Sequence, residues 1–359
     1  MVEFWRGGGG ESTATLDMAR KVEAEGWDGQ MFMDSECLCA DPYARMAVWA
    51  VATERLKLSP GVTNHLTRHV ATTAAAAVTI QAISNGRAVL GIGRGDSALA
   101  YLGYAPGKLG PFRKALEDIQ ALLSGKEIAF DTGLEQGAKS LASLSLGGRP
   151  LASSLKWLPK GLPKVPVDVA ATGPKVIELS APIVEQVTFS VGAIPARVKW
   201  AIDLGDTARR NAGLTEAGIS YGIQIVLVCH TDEALMREAA TRLVTPLARF
   251  QVIQGEPTGP MTKSDKVNLE AIRRGYDMNK HSDVHANDKL ISESLSHDFV
   301  ERFAVVGTPD HCIERLLELN ALGIKRFVIV GPGFYPEAVR NGPSLFAKEV
   351  IPAVKAHAK

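Results

Sequence analysis

Short apolar runs alternate along the chain with longer stretches whose apolar residues recur at helical spacing, and this alternation predicts a repeated strand-then-helix order. Residues 2–5 read as a first strand, 7–10 as a glycine loop, and Ser12 as the cap of a helix that runs to about Glu25 and stops at Gly26. Residues 30–33 form a second strand ending at Asp34-Ser35. Asp41-Pro42 opens the next helix with proline at its first position, and that helix reaches about Thr53. The third strand is 57–62, followed by a helix over 70–83; the fourth is 88–93, followed by apolar residues at helical spacing over 112–123. A fifth strand (165–171), a helix (174–180), a sixth strand (186–191), a helix (195–212) and a seventh strand (222–229) continue the order. Asp232 begins a long helix to about Gln254. Residues 303–307 then lead through Pro309 into a helix capped by Gly323, 325–330 is the eighth strand, and 337–355 is a closing helix.

Two regions break the rhythm. Residues 124–164 carry Gly, Ser, Leu and Lys with little periodicity and read as an insertion that closes over something, a lid. Residues 255–298 are polar and hold three of the eight histidines. Eight strand–helix units with no antiparallel block predict an α/β fold, a (β/α)8 TIM barrel in a single domain over 1–359, with insertions after strands 4 and 7. A doubly wound sheet is the alternative.

The chain is organised around residues 87–98, Arg-Ala-Val-Leu-Gly-Ile-Gly-Arg-Gly-Asp-Ser-Ala. A strand buried on both faces ends here in alternating glycines, with Arg94 and Asp96 placing opposite charges where it stops. A dinucleotide-binding turn would need a third glycine or alanine where Asp96 stands, so that fingerprint fails. In a barrel the C-terminal strand ends share one mouth. That mouth gathers Asp34-Ser35-Glu36, Gly61-Val62-Thr63-Asn64-His65, Arg94-Gly95-Asp96 and Ala171-Thr172-Gly173-Pro174-Lys175. The last turn offers backbone N–H groups, a hydroxyl and an ammonium at a helix start, a set that suits a phosphate, and Arg94 is placed to clamp the same group. Thr172 as a plain helix cap is the alternative.

Composition narrows the partners. Forty basic residues against 39 acidic ones leave a net charge of +1, with no basic run beyond pairs such as Arg209-Arg210, which argues against nucleic acid or an anionic membrane and for a small-molecule substrate. The four cysteines (Cys37, Cys39, Cys229, Cys312) lack zinc-type spacing and disulfide-scaffold density and read as reduced. The absence of a membrane-length apolar run or signal-peptide pattern gives the expectation of a cytoplasmic protein. No His/Asp/Glu set has metal-ligand spacing. His65, His69, His281 and His285 are candidates for proton transfer.

The residues 61–64, 84–93 with Gly95-Asp96, 170–175 and 303–309 resemble the luciferase-like flavin-dependent oxidoreductase superfamily, nearest to its methylenetetrahydromethanopterin reductase branch. The resemblance covers essentially the whole chain. It implies a TIM barrel holding reduced FMN or the deazaflavin coenzyme F420, and a homodimer. It places the third-strand bulge, often a non-prolyl cis peptide, at Gly61-Val62. Thr63 and Asn64 would meet the ring's polar edge. Arg94, Gly95, Ala171, Thr172, Gly173 and Lys175 would hold the cofactor and its phosphate. Glu3, His65 and Asp96 become the catalytic candidates. His65 stands where the branch usually has proline, and Val184-Glu185-Gln186-Val187 replaces its usual Ala-Asp-Gly-Val. Because luciferase-like monooxygenases put arginine at the position of Arg94, the resemblance favours reduced FMN, supplied by a separate flavin reductase, and monooxygenation of a small organic substrate. The alternatives are F420-dependent hydride transfer and a flavin-binding protein that catalyses nothing.

Overall fold

The computed structural model describes residues 1–8, 15–130, 139, 141–281, 295–330 and 342–358, with the side chains of 342 and 343 excepted. The expected cap at Ser12, the proton-transfer candidate His285 and the start of the closing helix at Glu337 lie outside the described residues. The strands are β1 (Glu3–Gly7), β2 (Gly29–Phe32), β3 (Lys57–Pro60), β4 (Thr63–Asn64), β5 (Leu90–Gly93), β6 (Val167–Ala171), β7 (Gln186–Phe189), β8 (Ser220–Cys229), β9 (Val305–Gly307) and β10 (Arg326–Val330). Their lateral order is β3-β2-β1-β10-β8-β7-β6-β5-β4, every pairing is parallel, and β9 adds to the far end of β8.

β3 and β4 are two pieces of one stave, parted at Gly61-Val62, a non-prolyl cis peptide. That stave closes the ring. Its lower piece meets the fifth strand's approach through Leu58 N–H to Arg87 O (3.0 Å) and Val89 N–H to Leu58 O (2.9 Å), and its upper piece pairs Thr63 with Ile92. The result is the eight-stave (β/α)8 barrel, in sequence order around the ring.

Strand alternation decides what fills it. Trp5, Met31, Val89 and Val328 form an inner apolar plug, while the outward residues, among them Phe4, Leu58, Leu90, Val167 and Phe327, pack under the helices in one large core. The seam is tight. A Cβ on Gly91 would lie 2.2 Å from Pro60 O and 2.7 Å from Ser59 Oγ, which itself accepts from Gly91 N–H (3.0 Å). Gly91→Ala is therefore expected to cost about 3 kcal/mol, the upper range of overpacking, and to lower the urea midpoint with no change in slope; an unchanged midpoint would contradict this account of the seam.

The helices start where the chain offers caps. α1 (Leu16–Ala24) is capped by Thr15 rather than Ser12. α2 (Pro42–Ala52) follows Asp41, whose carboxylate accepts from Ala44 N–H (2.9 Å). α3 (Val70–Ile83), α4 (Ser97–Ala100), α5 (Leu109–Leu123), α6 (Pro174–Ser180), α7 (Pro195–Asn211), α8 (Glu233–Ala248) and α9 (Lys263–Gly275) follow, and later helices cover His297–Phe303, Pro309–Ala321 and Ile351–His357. Three expectations need correcting. The long helix from Asp232 ends at Ala248, two residues past the internal Pro246, and gives way to a 3-10 turn. Residues 255–298 are not irregular throughout, since α9 occupies their middle behind a capping box of Thr262 and Asp265. Among its described residues the 124–164 insertion does not line the mouth: it leads from α5 into the N-terminal end of β6, and a helix-to-strand connection reaches the barrel at its base. There Gln81 Nε2 donates to Pro163 O (2.9 Å) and Leu155 packs into the core.

Candidate functional site

A cavity of about 960 Å³ opens at the C-terminal ends of the strands. Ligand pockets typically hold about 300–1,000 Å³, so there is room for a large cofactor and a small second molecule. Its walls are apolar or small where the staves end, with Met31, Gly61, Val62, Gly93, Ala170 and Val328. Beside and below them the inward positions on and just after β6, β7 and β8 turn polar. Thr188 donates to Asp168 (2.7 Å to one oxygen, 3.0 Å to the other), Arg326 pairs with Asp168 (3.1 Å), and Ser190 donates to Gln224 (2.8 Å). These residues were missed by motif reading, although polar side chains at every second position of otherwise apolar strands are the signature of a polar barrel interior.

Of the residues expected at the site, Gly61, Val62, Asn64, Arg94, Gly95, Asp96, Thr172, Gly173 and Lys175 line this cavity. Four do not. Glu3 begins β1, and since a strand rises about 3.3 Å per residue it sits about 13 Å below the mouth. At the base it pairs with Lys57 (2.5 Å) and accepts from Trp5 Nε1 (2.9 Å); burial raises its pKa, but Lys57 outweighs that and holds the carboxyl below its usual range. Ala171 points outward into the core, and Thr63 is buried beside Asp34 and Tyr43. His65 lies behind the wall, its ring 5.3 Å from that of Phe112 and packed on Gly107, where any Cβ would fall 2.3 Å from its Cε1. Among the other histidines, His69 caps α3, accepting from Ala71 N–H (3.2 Å), while His281 lines the cavity.

The lining residues that remain are more constrained than their types suggest. Asn64 spends its amide on its own turn, its Oδ1 accepting from Leu66 and Thr67 N–H (both 2.9 Å). Arg94 donates Nε to Gly107 O (2.6 Å) and Nη1 to Gln254 Oε1 (2.7 Å), tying the β5 loop to the chain after α8. Asp96 is not a free carboxylate. Arg249 grips it with both guanidinium nitrogens, one of them at 2.8 Å.

The charge pattern is decisive for the class of ligand. Every lining carboxylate has an arginine partner: Asp34 with Arg68, Asp96 with Arg249, Asp168 with Arg326, and Glu256 with Arg273 at 3.7 Å. Arg242 is likewise matched, by Glu238 (3.1 Å). Among the described residues, Arg94 and Lys175 line the cavity with no carboxylate opposite. The two stand out as cations available to an anionic ligand, beside the Thr172 hydroxyl.

Comparison with known proteins agrees with this architecture. The sequence pattern of the family described as luciferase-like monooxygenase matches residues 3–326. The chain belongs to that family. Among its relatives are the 5,10-methylenetetrahydromethanopterin reductases of Archaeoglobus fulgidus, 29% identical over 323 residues and covering 87% of each chain, and of Methanolobus tindarius, 25% identical and covering 93% and 94%. An F420-dependent glucose-6-phosphate dehydrogenase of Microbacterium testaceum is 23% identical over 84% of this chain and 80% of its own. The solved coenzyme F420-dependent tetrahydromethanopterin reductase of Methanopyrus kandleri superposes with a TM-score of 0.73 at 23% identity, covering 100% of this chain and 99% of that one, and shares the fold. The luciferase-like family consists of oxidoreductases, and this member is an enzyme. Among the described residues no helix is long and apolar enough to cross a membrane.

Burial makes two histidines pH-sensitive. Desolvation pushes His65 down to about 4, with the Arg94 cation adding to it, and His281 down to about 4, with Arg249 adding to it. Both are neutral at pH 7 in the folded enzyme, whereas an unfolded chain protonates them near 6.5. The unfolded state therefore binds more protons between about pH 6.5 and 4, and stability falls as pH falls through that window. We expect a loss of about 1–2 kcal/mol per histidine across it, and a flatter profile for His65→Gln than for wild type in thermal unfolding from pH 7 to 5. Identical profiles would contradict it.

Proposed function

We propose that this enzyme transfers hydride between coenzyme F420 and a small organic substrate. The observation that carries the proposal is the cavity itself, walled by apolar and small residues where the staves end and lined by Arg94 and Lys175, cations with no carboxylate partner among the described residues. The F420-dependent dehydrogenase of Microbacterium testaceum and the solved reductase of Methanopyrus kandleri, described as coenzyme F420 dependent, support F420 over FMN. A neighbour in complex with FMN, a Baeyer-Villiger monooxygenase, is more distant, with a TM-score of 0.64 at 16% identity. The preference for FMN expected from Arg94 alone does not decide the cofactor, because a cation without a carboxylate partner suits the phosphate of either one.

The residues present fit such a cofactor. Gly61, Gly93 and Ala170 leave the wall beside Val62 without projecting side chains, which suits a planar tricycle, and Lys175, Thr172 and Arg94 suit its anionic tail. When bound, the reduced deazaflavin supplies a hydride from its C5. Met31, Val62 and Val328 line the cavity with apolar side chains, which would keep water from a bound ring and a reacting substrate. Asp168 and Arg326, matched to each other, keep the floor polar without presenting a net charge.

Anaerobic mixing of the enzyme with reduced F420 and candidate acceptors tests the reading. Deazaflavin oxidation with no requirement for oxygen is expected. Oxygen uptake driven by reduced FMN, with reduced F420 inert, would replace it with monooxygenation.

A further inference from the structure

Asp96 is clamped by Arg249, and that partner begins a chain of contacts that ends in the cavity. The Arg249 side chain is 5% exposed and clamps Asp96 from the end of α8. Its guanidinium lies 5.2 Å from the Tyr276 ring centroid, and the Tyr276 hydroxyl meets His281 Nδ1 at 2.5 Å. Tyr101 secures the same turn from the β5 side, donating to Met278 O (3.0 Å). His281 lines the cavity, and its Nε2 has no hydrogen-bond partner among the described residues.

The tautomer follows from the phenol. Burial keeps the Tyr276 phenol protonated, and the guanidinium beside it carries donors only, so the phenolic proton is directed to Nδ1. The imidazole proton is then on Nε2. We propose that His281 presents Nε2–H as a hydrogen-bond donor to the substrate, to a carbonyl oxygen or imine nitrogen adjoining the carbon that is reduced, and that Asp96, Arg249 and Tyr276 are positioning residues that hold it so.

The chemistry is that of a neutral imidazole polarising an acceptor. As hydride adds to the carbon, the displaced electron pair moves onto oxygen or nitrogen, and the N–H stabilises the charge that gathers there; the imidazole keeps its proton and solvent supplies the one that completes the product. The depressed basicity of His281 agrees with a ring that stays neutral.

The inference rests on the F420 reading, and two experiments separate them. In ligand-free protein, 15N spectra of the His281 ring are expected to show a protonated Nε2 and an acceptor Nδ1, and Tyr276→Phe is expected to mix the tautomers. A wild-type ring protonated on Nδ1, or spectra that Tyr276→Phe leaves unchanged, would overturn the proposal whatever the cofactor. With reduced F420 and 2-cyclohexenone or a cyclic imine as probe acceptor, His281→Ala is expected to lower kcat about 100-fold while the F420 dissociation constant moves less than about twofold. Unchanged kcat would overturn the donor role. F420 binding without turnover of either probe would overturn the substrate class. Failure of wild type to bind F420 would overturn the cofactor reading, with the tautomer experiment still deciding whether His281 is held as a donor.

Discussion

Lys175→Ala is expected to weaken F420 binding about 30-fold while leaving thermal stability within about 0.5 kcal/mol of wild type. The ammonium lines the cavity at the start of α6 with no carboxylate within ion-pair distance among the described residues, so truncation removes no structural contact. On the F420 reading it would also remove a charge-assisted hydrogen bond to the anionic tail, worth about 2 kcal/mol, which is about a 30-fold change in dissociation constant. The effect should shrink as salt rises, because the site opens to solvent. Fluorescence titration at two ionic strengths measures both. Equal affinity in the variant would mean that the tail lies elsewhere, and a collapse in stability would mean that Lys175 is structural.

The second large effect concerns the floor. Asp168 and Arg326 are both about 2% exposed and face each other at 3.1 Å, with the Thr188 hydroxyl donating to Asp168 and accepting from Arg326 (2.9 Å). Asp168→Ala leaves a guanidinium buried without its counterion and is expected to cost about 3–5 kcal/mol. Asp168→Asn keeps the size and an acceptor oxygen and should cost less. Urea unfolding of the two variants checks the order. Equal, small losses would show that solvent enters the barrel and screens Arg326.

Much of the barrel was legible because its periodicities are local. The helices over 70–83 and 174–180 end where composition says they end, at Ser84-Asn85-Gly86 and at Ala181, and Asp41-Pro42 announces α2. The α9 helix is legible too: Thr262 followed three residues later by Asp265 is a capping box in a polar stretch. The third strand stops at Pro60 rather than Val62 because the chain turns at the cis bond before pairing again at Thr63, which period-two reading cannot show.

The site was legible as strand ends and illegible as contacts. Residues 61–64, 94–96 and 172–175 fall at the mouth because they follow strands, and Glu3 falls at the base for the same reason, since it begins one. What Asp96 does depends on Arg249, 153 residues away, and what Arg94 does depends on Gln254. His65 belonged to a wall because glycine at 107 leaves space for its ring. Arg87 is a similar case. It sits at the start of the glycine stretch, yet its guanidinium gathers Ser84 O (2.7 Å), Ala50 O (2.8 Å) and Thr53 O (2.8 Å), joining the end of α2 to the barrel seam.

The most direct test is a side-by-side equilibrium titration of the wild-type enzyme with oxidised F420 and with FMN under one buffer. F420 is expected to bind at least about tenfold more tightly, a difference of about 1.4 kcal/mol or more. Tighter binding of FMN, or saturation by neither, would contradict the account.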